Sequence, residues 1–406
     1  MTAVGRSRGA AALAVLGIVL FAFSLRTAVA SLSPVIDQIG RDFPLSPSLV
    51  GLIGTAPPVC YAVFGIVTPA LEARVGLRRL VPAAIAVAAL GLFGRALAGD
   101  ALMLLLATVL VFAAVGVGNV LLPPLVKRYF PDRIGLMTTV FTTTMALATF
   151  VPPLIAVPVA EATDWRVSLG IWAVFGVLAV VPWLVLGRGG DVRAEDPART
   201  SGRVLRRMWG LPMTWALICG FAVTSGTAYT AFAWLPLILV DTAGVTGAQA
   251  GALLSLFAVM GLPCSLAVPL VITRFRRGVP VLFAVAVMGG LGGSMGLLFL
   301  PGTATWLWVA LLGVCPLLFP VVLVLLSLRT RTHDAAVALS GVVQSVGYAI
   351  AALFPFAVGI IHTVTGGWTV PIALLAGLAL VAIPAGIVAS RRRTVEEEWE
   401  RRHGTW

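Results

Sequence analysis

The chain has 406 residues, of which 59% are hydrophobic and only 11% are charged, and its formal net charge is +12. So few charged side chains cannot cover the surface of a soluble protein of this length, which excludes a soluble globular domain. The positive charge does not indicate nucleic-acid binding, because the basic residues lie in short loops between long apolar runs.

Twelve apolar runs follow one another, each of about 18 residues or more, which is long enough for a transmembrane helix. A membrane β-barrel would show alternating polar and apolar residues instead. The predicted fold class is an all-α integral membrane protein with twelve transmembrane helices in two six-helix, pseudo-symmetric halves. The predicted spans are 11–33, 49–71, 80–98, 101–126, 135–160, 167–187, 211–240, 248–272, 279–300, 304–327, 336–361 and 368–390.

The first span contains Arg26 within a run that is otherwise almost wholly apolar. A guanidinium at that depth costs several kcal/mol and cannot lose its proton, so it usually faces a water-filled cavity or an anion. We therefore predict a transporter whose substrate is small and anionic, or rich in hydrogen-bond acceptors, with Arg26 as a ligand. The alternative is a structural ion pair or carbonyl clamp that holds the first span to a neighbour.

The arginines predict the orientation. With the N-terminus in the cytoplasm, every Lys and Arg lies on the inner side except Arg26, Arg41, Arg95 and Arg166. Both termini are therefore predicted to be cytoplasmic, in the plasma (inner) membrane. The predicted domains are an N-terminal half (1–187), a linker (188–210), a C-terminal half (211–390) and a tail (391–406) whose alternating charges indicate a solvated amphipathic segment.

The two halves match at a constant offset of 202 residues, which indicates duplication. Parallel repeats of this kind place a substrate site near mid-membrane between the halves. The matched pairs are Pro34 with Pro236, Arg74 with Arg276, Gly76 with Gly278, Lys127 with Arg329, and Asp132 with Asp334.

Twelve helices, the repeat and the basic-glycine turn after the second span resemble the major facilitator superfamily. Aligned on Arg74 and Gly76, the turn has Ala73 in the slot where the superfamily's motif has an aspartate, with Glu72 beside it. The resemblance implies a gating role for Glu72, Arg74 and Arg276, with Glu72 in place of the missing acid.

Shorter elements are similar to the cyanate/2-nitroimidazole transporter family within that superfamily. One departure is Phe354-Pro355, where the family often has Gly-Pro; this change is expected to alter packing in the eleventh span. The resemblance implies a secondary transporter for a small molecule, without a cofactor or metal. The matching elements are Leu25-Arg26-Thr27, Gly118–Pro123, Trp234-Leu235-Pro236, Val240-Asp241, Gln344–Tyr348 and Gly366-Gly367-Trp368.

Polar side chains within the spans are the candidate ligands of the substrate. Gln344 and Tyr348 share one helix face, and Tyr229 lies near the repeat counterpart of Arg26. Asn119 fits a substrate contact and a helix–helix hydrogen bond equally well. The predicted substrate-binding residues are Arg26, Tyr61, Asn119, Thr142, Thr143, Tyr229, Gln344 and Tyr348.

Three further side chains have ordinary interpretations. Arg95 is expected to snorkel at the outer end of the third span, with a substrate contact as the alternative. Trp234 is expected to lie in the aromatic belt at a membrane interface. His362, at the outer end of the eleventh span, is also a candidate for proton coupling.

The remaining function classes differ in what drives or replaces transport. The chain has no GxxxxGK[ST] motif for ATP, and its acids lie at span ends, which favours exchange, facilitated flux or cotransport over proton coupling through a membrane acid. The fifth span lacks the glycines of drug/proton antiporters, and efflux of neutral nitro-heteroaromatics or drugs by the same fold remains the alternative. Scattered histidines argue against an enzyme. The expected partners are a small-molecule substrate and the bilayer, no nucleic acid, and the expected state is a monomer.

Overall fold

The computed structural model describes residues 8–186 and 206–404, and within these ranges the secondary structure is helical. Short 3-10 turns, Ser33–Val35, Pro131–Arg133 and Cys315–Leu317, connect some of the helices. The α-helices are α1 Arg8–Ala30, α2 Ile36–Asp42, α3 Pro47–Val75, α4 Leu77–Ala96, α5 Ala101–Tyr129, α6 Ile134–Ala162, α7 Trp165–Leu186, α8 Pro212–Ala243, α9 Gly247–Val259, α10 Gly261–Arg274, α11 Gly278–Phe299, α12 Thr305–Val314, α13 Leu318–Leu328, α14 His333–Ala351, α15 Leu353–Thr365, α16 Thr369–Ala389 and α17 Val395–His403.

In the described part of the chain, the helices form twelve segments that are long and apolar enough to cross a membrane, which confirms the predicted fold class. The first segment is longer than predicted, because α1, the turn Ser33–Val35 and the polar helix α2 follow one another and together cover Gly9–Asp42. Large apolar side chains such as Ile66 and Leu266 are 65% and 70% exposed. Exposed apolar surface on this scale is what a bilayer covers.

Three of the predicted spans are each built from two helices. The breaks separate α9 from α10, α12 from α13, and α14 from α15. A proline lies in or just after each break, and proline removes a helical N–H donor and leaves a carbonyl without its partner. The three prolines are Pro263, Pro316 and Pro355.

Side chains from neighbouring helices donate hydrogen bonds to carbonyl oxygens at two of these breaks. In lipid no water can satisfy such a carbonyl, and an unsatisfied one costs several kcal/mol. The Trp234 ring is fully buried, so the prediction that it lies in an aromatic belt at a membrane interface was wrong. The bonds join Thr224 Oγ1 to Pro316 O (3.0 Å), Thr55 Oγ1 to Ala352 O (3.0 Å) and Trp234 Nε1 to Pro355 O (2.9 Å).

Contacts between Cα atoms divide the chain into two compact units. Unit 1 comprises Met1–Leu45 and Val63–Pro197, and unit 2 comprises Ser46–Ala62 and Ala198–Trp406. The first half of α3 thus groups with unit 2. Most of the predicted linker at 188–210 lies outside the described residues.

A tryptophan–aspartate hydrogen bond occurs once in each unit. In unit 1, Trp165 at the start of α7 donates from Nε1 to Asp42 at the end of α2, at 3.0 Å. In unit 2, Trp368 just before α16 donates to Asp241 in the last turn of α8, at 2.8 Å. Each bond joins the start of the last membrane helix of one predicted half to the end of the first membrane segment of that half, which supports the predicted duplication.

The repeated glycines Gly76 and Gly278 are required for different physical reasons. Gly76 separates α3 from α4 with φ +82° and ψ 144°, a conformation that is essentially restricted to glycine. Gly278 begins α11, and a Cβ there would collide with the carbonyl oxygen of Val271 and lie 3.1 Å from the Cα of Ile272. A side chain is excluded at both turns.

We expect Gly76→Ala and Gly278→Ala each to lower the free energy of unfolding by about 1–3 kcal/mol, through backbone strain and collision respectively. Thermal unfolding of the purified protein measures the effect. Gly341→Ala is the matched control, since Gly341 lies within α14 with no atom near its Cβ position. Equal melting temperatures for all three variants would contradict the prediction.

The tail helix α17 is docked on unit 2 rather than solvated, so the prediction of a solvated tail was wrong. Val395 is fully buried and Glu396 is 1% exposed. The Glu396 carboxylate accepts hydrogen bonds from the backbone N–H groups of Arg331 (2.8 Å) and Thr332 (3.1 Å). Glu398 likewise accepts from the N–H of Met213 at the start of α8, at 3.1 Å. The tail acids satisfy helix-terminal donors, which the charge pattern alone could not show.

Docking of the tail should depend on pH through Glu397. The hydrogen bond from Arg331, whose Nη2 lies 3.0 Å from Glu397 Oε1, lowers the pKa of this carboxyl below 4.5, assisted by the backbone N–H of Thr394. A lowered folded-state pKa contributes stability that is complete above the unfolded pKa and is lost as pH falls through the folded one. We expect the melting temperature of Glu397→Gln to fall below that of the parent at pH 7, and the gap to narrow as the pH falls below 4.5 and through the lowered pKa of Glu397. A gap that stays constant as the pH falls from neutral into this acid range would rule this out.

Candidate substrate-binding residues

Arg26 lies near the middle of the first membrane segment, 17 residues after Gly9 and 16 before Asp42. Its chain neighbours Leu25 and Thr27 are fully buried, whereas Arg26 itself is half-buried. Thr27 Oγ1 bonds to the carbonyl of Ser24, so this hydroxyl serves its own helix. Arg26 thus lies on a side of α1 that the protein covers only in part.

Arg95 holds the end of the helix that carries Arg26. Its Nη1 donates to the carbonyl oxygen of Ala28 at 2.8 Å and its Nε to Thr108 Oγ1 at 3.0 Å, and its guanidinium carbon lies 5.0 Å from the centre of the Phe112 ring. Carbonyls in the last turn of a helix lack an intrahelical donor. Arg95 is 1% exposed, so the prediction that it snorkels was wrong. It is a clamp between α4, α5 and α1.

Asn119 is placed beside α1 by the glycine that precedes it. A Cβ on Gly118 would lie 2.6 Å from Leu25 Cδ2 and 2.8 Å from Phe21 Cζ, so α5 approaches α1 closely at this level. Leu25 immediately precedes Arg26. Asn119 is half-buried. Two of the predicted ligands therefore lie at corresponding heights on adjacent helices of unit 1.

A second group of predicted ligands is assembled in unit 2 by small residues. A Cβ on Gly54 of α3 would lie 2.5 Å from the Cβ of Ala233 in α8, and Tyr61 and Tyr229 lie on these same two faces, seven and four residues away. Glycine at 347 lets α14 reach Phe221 of α8, since a Cβ there would lie 2.6 Å from that ring. These approaches bring the tyrosines of three helices together.

Three of the chain's four tyrosines form one aromatic cluster, which we call the tyrosine cluster: Tyr61, Tyr229 and Tyr348. Their ring centroids are 6.0 Å (Tyr61–Tyr229), 5.5 Å (Tyr61–Tyr348) and 6.3 Å (Tyr229–Tyr348) apart. Phe221 closes one side at 4.8 Å from Tyr348. Edge-to-face and tilted packing at these distances is favourable. Tyr61 and Tyr229 are buried in the cluster, and Tyr348 is half-buried.

Tyr348 ends a polar stripe along α14. Ser340, Gln344 and Tyr348 are spaced four residues apart, so they share one face, and all three are half-buried. Gln344 Nε2 donates to Ser340 Oγ at 2.7 Å. Phe221 and Ser340 were not predicted; only the helical spacing from Tyr348 could have indicated Ser340.

The other predicted residues are less well placed. Thr143 is exposed, and the side chain of Thr142 lies outside the described residues. Glu72 is half-buried and Arg74 and Arg276 are exposed. Among the described residues no carboxylate lies within ion-pair distance of either arginine. A gating role for these three residues remains a prediction.

His362 belongs to the cluster around the unit 2 tryptophan–aspartate bond. Its ring stacks on Trp368 with centroids 3.9 Å apart and an angle of 12°. Trp234 packs on the same indole at 5.6 Å. Trp234 and Asp241 on α8 therefore meet Trp368, which lies 127 residues after Asp241, in one structural cluster.

Comparisons with known proteins agree with this architecture. The family model for the Major Facilitator Superfamily matches residues 14–352. The chain is 30% identical over 384 residues to the 2-nitroimidazole transporter of Escherichia coli (strain K12), covering 93% of this chain and 95% of that protein. It is 23% identical over 378 residues to the cyanate transport protein CynX of the same organism, with coverage of 90% and 95%.

Among solved structures, a mutant of the nucleoside transporter NupG superposes with a TM-score of 0.75 at 12% identity, over 93% of this chain and 99% of that one, which shows a shared fold. The chain is a multi-pass membrane transporter of small solutes and not an enzyme. It belongs to the Major Facilitator Superfamily and, within it, to the cyanate/2-nitroimidazole transporter family.

Proposed function

We propose that the chain is a secondary active transporter that moves a small anionic or acceptor-rich solute across the cytoplasmic membrane by alternating access, with both termini in the cytoplasm. The observation that carries the proposal is Arg26, a permanent charge within the apolar helix α1 of the first membrane segment and only half-buried. A charge retained at that depth marks a substrate pathway more often than a structural pair. The monomer is the expected working form.

Arginine rather than lysine suits such a substrate. The guanidinium presents a planar fork of donors that matches the planar acceptor geometry of a carboxylate, and it remains charged in a low-dielectric setting. Arg95 bonds the end of α1 through the carbonyl oxygen of Ala28, so this half of the chain uses a buried arginine for a structural task as well.

The names of two relatives agree with acceptor-rich solutes. One relative is named for 2-nitroimidazole and the other for cyanate, a planar heteroaromatic and a small anion respectively. Both molecules present several acceptor atoms in a compact frame. Their shared chemistry supports recognition by a guanidinium, which donates several hydrogen bonds.

Coupling is proposed to use a solute gradient or the substrate's own proton. Two acids at segment ends, Asp42 and Asp241, are occupied as acceptors for Trp165 and Trp368. A carboxylate committed to a structural hydrogen bond is a poor proton carrier, because each protonation would weaken that bond.

Ligand-dependent thermal stabilisation of the purified protein tests the proposal. Cyanate, benzoate and neutral 2-nitroimidazole serve as probes, and a ligand at about 100 times its Kd should stabilise by about 2.7 kcal/mol. Arg26→Ala should weaken anion binding by roughly 30-fold or more, since removing one partner of a desolvated charge pair costs about 2–5 kcal/mol. Arg26→Lys should retain only part of the anion affinity of the parent protein.

Arg41→Ala is the matched control, because Arg41 is an exposed arginine on α2 of the same membrane segment. It should bind anions as the parent does. Unchanged anion binding in Arg26→Ala, or equal losses in both variants, would overturn the assignment of Arg26 as a ligand.

Efflux of neutral nitro-heteroaromatics is the second candidate function, and the tyrosine cluster favours it. Tyr348, the half-buried member of the cluster, offers a ring face for a planar heterocycle, and stacking of this kind is worth about 0.5–1.5 kcal/mol. If this is the function, substrate affinity depends more on the aromatic rings than on Arg26.

Tyrosine substitutions separate the two candidates. If the cluster recognises a heteroaromatic ring, Tyr348→Leu should weaken 2-nitroimidazole binding about 3- to 10-fold and Tyr348→Phe much less, because the phenyl ring keeps the stacking face. Tyr129→Leu is the control, since Tyr129 packs on Trp183 in unit 1, outside the cluster. Isothermal titration or thermal shift gives the Kd. Loss of cyanate binding in Tyr348→Phe alone would instead assign the hydroxyl to the anion.

A further inference from the structure

Two arginine-rich segments of unit 2, far apart in the sequence, meet on the side that the arginine distribution predicts to be cytoplasmic. The first is the turn Arg274–Arg277 between α10 and α11, and the second is Arg391 and Arg392 after α16. Arg392 Nη2 donates a hydrogen bond to the backbone carbonyl of Arg276 at 2.9 Å. Arg274, Arg276, Arg277, Arg391 and Arg392 are all exposed, and together we call them the arginine patch.

The fold holds the second segment in place at both ends. At the start of the segment, the N–H of Arg391 donates a hydrogen bond to the carbonyl oxygen of Val388 in the last turn of α16, at 3.0 Å. After it, the capping box of Thr394 and Glu397 starts α17, and Val395 N–H bonds to the carbonyl of Arg329 at 2.8 Å. Arg391 and Arg392 therefore lie on a short connection that is fixed against the turn rather than on a free tail.

The acids of the tail do not neutralise the arginine patch. Glu396 bonds to backbone donors, Glu397 and Glu400 pair with Arg331, and Glu398 lies 3.9 Å from Arg402. Among the described residues, no carboxylate lies within ion-pair distance of any arginine of the patch. Five positive charges gathered without a carboxylate repel one another, and a bound anion would relieve that repulsion.

The surface beside the patch is apolar. Leu266 and Leu270 on α10 are 70% and 68% exposed, and Arg274 continues the same face at the next four-residue step. Phe275, within the turn, is 59% exposed. A ligand that covers this surface needs a negatively charged head for the arginines and a hydrocarbon chain for the leucines.

We propose that the arginine patch binds the phosphate of an anionic phospholipid from the cytoplasmic leaflet, with an acyl chain along Leu266 and Leu270. Orientation by positive charge requires only that arginines occupy the inner loops. It does not require that a tail segment be bonded to the turn between α10 and α11. The site is independent of the transported solute.

Lipid titration of the full-length protein in detergent tests the proposal by native mass spectrometry and thermal shift. Phosphatidylglycerol should bind and raise the melting temperature, whereas phosphatidylcholine and inorganic phosphate should do neither. Arg391→Gln/Arg392→Gln should weaken phosphatidylglycerol binding roughly 10- to 30-fold, at about one factor of five per arginine near a membrane surface. Arg274→Gln/Arg277→Gln should weaken it similarly without disturbing the tail.

Arg401→Gln/Arg402→Gln is the matched control, because it removes two exposed arginines from the same tail but outside the patch. It should retain the affinity of the parent. Equal losses in the control and the patch variants would indicate non-specific charge attraction and overturn the site. Stabilisation by inorganic phosphate alone, or equal binding of phosphatidylcholine, would overturn the lipid assignment.

Discussion

Hydrogen-bonding groups of the backbone have no water to bond with inside a bilayer. Where several membrane helices end or break, side chains of other helices donate hydrogen bonds to the exposed carbonyl oxygens. Arg95 bonds to Ala28 at the end of α1, Thr224 to Pro316, and Trp234 to Pro355. Each donor belongs to a different element from its acceptor. A hydrogen bond that satisfies an unpaired carbonyl oxygen therefore also holds two elements together. Prolines that would weaken an isolated helix thereby become points of tertiary attachment.

Close helix contacts then determine where the polar side chains lie. Gly118 allows α5 to approach α1 beside Leu25, and Gly54 and Gly347 allow α3 and α14 to approach α8. Within a membrane, helices gain little from hydrophobic burial, so small residues that permit close packing are the main determinants of association. Tyr61 and Tyr229 meet because residues on the same faces are small.

Much of the fold was predictable from the sequence, because twelve apolar runs and an arginine bias are strong one-dimensional signals. The candidate site was predictable only in part. Arg26 and the tyrosines were identified as polar groups in apolar spans, and the structure brings three of the tyrosines together. Arg95 and Trp234 were misinterpreted, because a position near a span end is compatible with both an interface and a buried bond. The tail was misinterpreted since charge alternation does not reveal which carboxylates meet helix-terminal N–H groups.

The sequence by itself determined the number of membrane segments, the presence of a positive charge within the first of them and the repeat of two halves. Those properties follow from composition and spacing along the chain, which require no knowledge of neighbours. Only the tertiary structure decided which carbonyl Arg95 bonds, where the tryptophan–aspartate pairs form, and that Arg392 reaches the turn at Arg276. These contacts join residues many positions apart, and their partners are selected by helix packing, which no local pattern encodes.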